Sequence, residues 1–176
     1  MNRKIFFWQI FGIIFTVLVG SFLHFIYELS NFWKPLALIG AVNESTWEHL
    51  KIGFWPAFIF GIIEYFKYGK KYKNFFVAKV IGFYAIPVLI TLLFYGYTTF
   101  MEDNLFFDIL IFVVAIVSAY LLSYKTLISE KVFLKYKNLA IILIIIEVLA
   151  FTFLSYFPLK NFLFLDPVTG GYGIIK

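Results

Sequence analysis

The sequence predicts an all-α protein: a polytopic membrane helix bundle of about five transmembrane helices, forming one domain over residues 1–176. Three observations carry this expectation. Apolar residues make up 62% of the chain and charged residues 14%, where a soluble domain averages about 45–50% and about 25%. The apolar residues gather into five runs near the roughly 20 residues that a helix needs to cross a bilayer. Most lysines fall between these runs, in alternate connections.

The first run covers residues 5–27 and follows Arg3 and Lys4. It is longer than the roughly 7–15-residue core of a signal peptide, and no small-x-small cleavage site follows it. It therefore reads as an uncleaved first span. Residues 31–42 contain Phe32, Trp33, Pro35, Leu36 and Ile39 but are too short to cross. They are expected to lie flat on the outer interface, or to dip in and return. The second and third runs cover residues 47–66 and 75–97. Pro56 and Pro87 lie inside them, as spanning helices tolerate when neighbours satisfy the freed backbone groups. The fourth and fifth runs cover residues 105–124 and 139–157. The tail is apolar and then reads Asp166-Pro167-Val168-Thr169-Gly170-Gly171-Tyr172-Gly173. This turn-rich stretch is expected to fold back over the bundle.

Charge gives the bundle a direction. Arg3 and Lys4 precede the first run; Lys67, Lys70, Lys71 and Lys73 follow the second; Lys125, Lys131, Lys135 and Lys137 follow the fourth. With five spans these segments share one side, and the positive-inside rule makes it cytoplasmic. The N-terminus is then inside and the C-terminus outside, in a multi-pass protein of the cell membrane. The net charge of +5 belongs to these loops and is no sign of nucleic-acid binding. The expected partners are the bilayer itself and a lipid or small-solute ligand, while oligomeric state is left open. With no cysteine in the chain, disulfides, thiolate nucleophiles and Cys-ligated metals are excluded.

The same direction collects the unusual polar residues at the outer side. His24, Tyr27 and Glu28 close the first run, and Asn43-Glu44-Ser45-Thr46-Trp47-Glu48-His49 opens the second. Glu102, Asp103 and Asp108 open the fourth, and Asp166 and Tyr172 lie in the tail. Both histidines of the protein belong to this set.

Two histidines and nearby carboxylates can hold a divalent metal such as zinc with one position open to water, and that water can serve as a nucleophile near neutral pH. His24 and His49 are the candidate ligands, with Glu48 as third ligand or general base. Glu44 shares the catalytic role, since residues four apart lie on one helix face. Asp108 and Asp166 are further candidates. Asn43, Trp47, Tyr27, Asp166 and Tyr172 are the candidate substrate-binding residues. A structural reading stands beside this one: Ser45 with Glu48 three residues later is a capping box. Direct recognition of a headgroup or solute without metal is a third reading.

Glu147 is a separate feature. It lies mid-run in Ile-Ile-Ile-Glu-Val-Leu, at a depth where a charged residue costs about 2.5–3.5 kcal/mol on insertion scales. It should face the bundle interior, either as a proton relay or hydrogen-bonded to Tyr84 or Ser118. Lys79 and Glu64 lie near the inner ends of their runs and are expected to snorkel to the interface.

The stretch Asn43-Glu-Ser-Thr-Trp-Glu-His49, with His24, Tyr27 and the closing Asp166–Gly173 segment, resembles an uncharacterised family of small bacterial multi-span membrane proteins carrying an Asn-Glu-Ser-x-Trp-Glu-His signature. The similarity covers nearly the whole chain. It implies a bacterial cytoplasmic membrane location and no particular reaction. Three functions follow from the residues. One is a membrane enzyme with a metal or carboxylate site. The second is a transporter or channel-like subunit using Glu147. The third is a structural or partner-binding membrane protein.

Overall fold

The computed structural model describes residues 3–174. Five helices form: α1 (Arg3–Leu29), α2 (Thr46–Lys67), α3 (Phe75–Thr98), α4 (Leu105–Leu127) and α5 (Lys137–Phe153). No strand forms among the described residues. Four segments are long and apolar enough to cross a membrane: α1, α3, α4, and Leu134–Phe153, which is α5 with its leading turn.

The run expected as a second span forms α2, but α2 is not among these four. It carries Glu48, Lys51 and Glu64, all buried. α2 is instead the packed centre of the bundle. Phe54, Ala57 and Phe60 on α2 meet Phe83 and Ile86 of α3 and Ile116, Ala119 and Tyr120 of α4 in one core. The outer faces of α1, α3, α4 and α5 expose large apolar side chains, among them Phe11, Leu18, Leu92, Ile109 and Ile145. Lipid, unlike water, can solvate such surfaces.

Successive helices run in opposite directions. Ile5 of α1, Phe75 and Ala78 of α3 and Tyr124 and Leu127 of α4 pack together at one end, which also carries the lysine-rich connections. Leu23 of α1, Ala41 of the connection before α2 and Ile52 of α2 pack toward the other end, near both histidines. Pro56 has no N–H, so the Ile52 carbonyl has no helical donor. That carbonyl faces α1 at Gly20, where a Cβ would lie 2.8 Å from its oxygen. Only glycine lets the two helices approach this closely.

The segment expected to lie on the outer interface covers the histidine end. It forms a short 3-10 helix at Lys34–Leu38. Ala37 is fully buried, the Ala41 N–H donates to the Leu23 carbonyl at 3.2 Å, and the Tyr156 hydroxyl donates to the Lys34 carbonyl at 2.6 Å. Asn31 and Phe32 enter this cover with φ of 56° and 60°, an uncommon conformation for non-glycine residues.

The tail folds back over the same end. The Trp47 N–H donates to the Leu163 carbonyl at 2.9 Å, and Phe164 stacks on the Trp47 ring at 4.6 Å. Asn43 Nδ2 donates to the Gly173 carbonyl at 2.8 Å.

Two local expectations are corrected. Lys79 and Glu64 do not snorkel: both are buried and form an ion pair with each other. A long side chain can reach the interface only from a face that opens to it, and these face inward. The fifth helix ends at Phe153 rather than 157, and Ser155 turns inward to meet α2.

Candidate functional site

The histidine end holds two polar assemblies built from neighbouring residues of α2. The first is buried. Glu48 pairs with Lys51 at 2.5 Å, three residues along the same helix, and both side chains are all but inaccessible. Lys51 Nζ also donates to the Ala37 carbonyl and the Ser155 hydroxyl, each at 2.8 Å. Ser155 donates in turn to Glu48 Oε1 at 2.6 Å, and the Val42 N–H donates to Glu48 Oε2 at 3.2 Å. A buried charge is tolerable only when paired and hydrogen-bonded, and both conditions hold. The assembly locks the 3-10 cover and the segment after α5 onto the centre of the bundle.

The capping box does not form. Ser45 sits at the N-cap without a side-chain cap hydrogen bond. Its own N–H is taken by Asn43 Oδ1 at 2.9 Å, and the Glu48 carboxylate serves Lys51, Ser155 and Val42 instead. Glu48 thus has its lone pairs committed and is not grouped with the histidines.

The second assembly is half-open and consists of His24, Glu44 and His49. His24 comes from the last turns of α1, Glu44 from the loop before α2, and His49 from its first turn. His24 Nε2 and His49 Nε2 lie 3.2 Å apart. Glu44 Oε2 lies 3.5 Å from the first and 3.6 Å from the second. These three side chains form the potential metal-holding group among the described residues.

The spacing lets one ion touch all three groups. Ligand atoms at the corners of a zinc tetrahedron with bonds of roughly 2.05 Å are about 3.3 Å apart. The three atoms share an in-plane centre about 2.0 Å from each, so an ion at a zinc–ligand distance of roughly 2.0–2.1 Å sits in or just above their plane. The His49 ring is also set for ligation. Its Nδ1 lies 2.9 Å from the Ser45 carbonyl. A carbonyl only accepts, so Nδ1 carries a proton, and when the ring is neutral its Nε2 offers a lone pair. Metal-bound histidines commonly show this backbone anchor.

The His24 ring hydrogen-bonded to Glu44 holds its carboxyl below the usual carboxylate range. Partial burial opposes this, and the charges of His24 and His49 add to it.

His24 and Glu44 line a cavity of about 240 Å³ with Glu28, Asn43, Asp166 and Thr169. Of the residues read as substrate-binding, Asn43 and Asp166 reach this cavity. Asp166 is itself buried. Its carboxylate accepts from the Val168 N–H at 3.2 Å and from the Thr169 hydroxyl at 2.5 Å, which shapes the tail turn. Trp47 is stacked between Phe151 and Phe164, and Tyr27 is buried against Phe32. Tyr172 forms an isolated bridge with Leu165. These three build walls and do not line the cavity. Asp108 accepts from the Tyr97 hydroxyl at 2.6 Å and is not part of the ligand group.

Lys51, Ser155 and Thr169 were not singled out from sequence, and Glu28 was read only as one of the polar residues of the outer end. Lys51 had one legible signal, its spacing of three from Glu48 on a helix. Ser155 had none, because its partners are about a hundred positions away.

Comparison with known families places the chain. A model described as "Family of unknown function (DUF6512)" matches residues 1–174, and the protein belongs to that family. No curated protein and no solved structure matches the chain.

Proposed function

We propose that the protein is a multi-pass metalloprotein of the bacterial cytoplasmic membrane. His24, Glu44 and His49 hold a divalent ion such as zinc at the outer mouth of the bundle. The observation that carries this reading is the triangle of ligand atoms with sides of 3.2, 3.5 and 3.6 Å. Two histidines and one glutamate are a ligand set of hydrolytic zinc sites, which keep the fourth position for water or substrate. The ion, when bound, would supply a water made acidic enough to act as a nucleophile near neutral pH. The cavity beside His24 and Glu44 gives a substrate room at that position. The reaction class is therefore metal-assisted hydrolysis. The residues around the reacting position have distinct parts: the Ser45 carbonyl fixes the His49 ring, while Asn43, its amide held by Gly173 and Ser45, forms part of the cavity wall.

Metal analysis of the purified full chain in micelles tests this. One zinc per chain is expected, lost in His24→Ala and His49→Ala and retained in Glu102→Gln, which changes an exposed loop acid. Absence of stoichiometric zinc after reconstitution, with unfolding unchanged by chelator, would overturn the reading.

The orientation belongs to the same proposal. Five antiparallel helices, α2 included, cross the membrane with the lysine-rich end inside. Antiparallel packing and the placement of Lys67–Lys73 and Lys125–Lys137 support it. Because the chain has no cysteine, single cysteines report sidedness directly. A membrane-impermeant maleimide should label Glu102→Cys and Thr169→Cys in intact cells, and Lys70→Cys and Lys131→Cys only after lysis. The reverse pattern would invert the site.

A further inference from the structure

Glu147 stands apart from the metal assembly. It lies in the third turn of α5, and 5% of its surface is exposed. Neither carboxyl oxygen has a hydrogen-bond partner among the described residues. Tyr84 of α3, one of its expected partners, is near enough to interact with it electrostatically. Yet the Tyr84 hydroxyl donates to the Leu143 carbonyl, one turn before Glu147, at 2.9 Å. Lys79, the charged side chain of α3, is held by Glu64. α2 meets this face of α5 through aromatic rings: Trp47 and Phe54 both pack on Phe151, one turn after Glu147.

The other side of α5 presents Ile142, Ile145, Ile146 and Leu149 outward, each about half exposed. In a bilayer these would meet acyl chains. Glu147 therefore sits behind an apolar helix, facing α3, with no cation to balance its charge among the described residues.

Every other buried acid of the membrane-embedded helices is matched. Glu48 has Lys51 and Glu64 has Lys79. A carboxylate buried without a partner carries a penalty of several kcal/mol or neutralises itself by taking up a proton. A bound proton removes the charge and supplies the donor that the site lacks. On α3, Pro87 has no N–H, so the Phe83 carbonyl, beside Tyr84, lacks its helical donor.

We propose that Glu147 is a proton-binding site inside the membrane, and so the position at which an apolar carbodiimide modifies this protein. The chemistry needs the acid form in an apolar setting. The carboxyl O–H adds across one C=N bond of the reagent. The carboxyl oxygen bonds to the central carbon and the proton goes to nitrogen. The resulting O-acylisourea rearranges to a stable N-acylurea with nothing lost, so the chain gains the full mass of the reagent. This inference does not rest on the metal reading, and either can fail alone.

The test is dicyclohexylcarbodiimide on the purified full chain in micelles, read by intact mass and peptide mapping. One adduct per chain is expected, mapped to Glu147. Its yield should fall more than tenfold as the pH is raised and the acid form is lost, with the helical circular dichroism unchanged. Glu147→Gln should remove it, and the mapped wild-type peptide identifies the site even where that variant folds poorly. A fold-retaining protein without an adduct on Glu147 at any pH overturns the proposal. Protection by sodium but not by choline also overturns it, because the site would then hold an alkali cation rather than a proton.

Discussion

The two ends of the bundle gather charged side chains from distant positions and use them in opposite ways. At the lysine-rich end, Glu64 is ringed by donors: Lys79, the Tyr68 hydroxyl, and Gln9 Nε2 at 2.5 Å. Glu64, Lys79 and Gln9 are buried, and each charge is answered by its opposite. At the histidine end, two imidazole nitrogens and a carboxylate oxygen converge at 3.2–3.6 Å while remaining open to a cavity. Three electron-pair donors aimed at one point are satisfied by a proton or a cation from outside. A closed network stabilises a fold. An open one, with lone pairs converging, is poised for a ligand. The contrast is sharpened by Glu48 and Lys51, which lie beside the open triad and form a closed pair of the first kind.

The largest effect should come from breaking the closed network. Glu64→Ala leaves Lys79 buried without its counter-ion, and removing one partner of a buried pair costs about 3–5 kcal/mol. The double variant Glu64→Gln/Lys79→Met removes both charges and should be far less destabilised. Unfolding of the purified chain in micelles measures both. A single variant as stable as wild type would mean that the network is not closed as described. Neither variant should change zinc stoichiometry, because the triad lies at the opposite end of α2.

How much of this was legible in the sequence depended on the distance between partners. The apolar runs of α1, α3 and α4 announce themselves, since lipid requires unbroken apolar length. The gathering of His24 and His49 was also legible, because lysine placement puts both at one end. Choosing Glu44 over Glu48 was not. Both lie on the second-helix segment, and the choice follows from contacts that Ala37, Val42 and Ser155 make with Glu48 and Lys51. Glu64 and Lys79 were misread as snorkelling for a related reason. A helix apolar on nearly every side does not reveal which face turns inward. Glu147 was legible as an inward-facing acid from depth alone, but its lack of a partner was not.

The smallest expected effect is also the most discriminating, and it concerns Glu44 and pH. The His24 hydrogen bond holds the Glu44 carboxyl below its usual range. A carboxyl whose value is lowered by folding stabilises the fold above its unfolded value, near pH 4.5, and loses that contribution as pH falls through the folded value. Glu44 is half exposed, so solvent screening limits the gain to under about 1 kcal/mol. Metal-free wild type should therefore exceed Glu44→Gln slightly at pH 6, with the gap closing toward pH 3. Adding zinc should widen the gap at pH 6, because ligation stabilises only the form that binds it. Acid should then collapse it more steeply, since protons compete with the ion for the ligand atoms. A closed network such as Glu64–Lys79 has no place for zinc and would show no such widening. If zinc leaves the gap at pH 6 unchanged, the histidine end is a second structural network and the contrast between the two ends disappears.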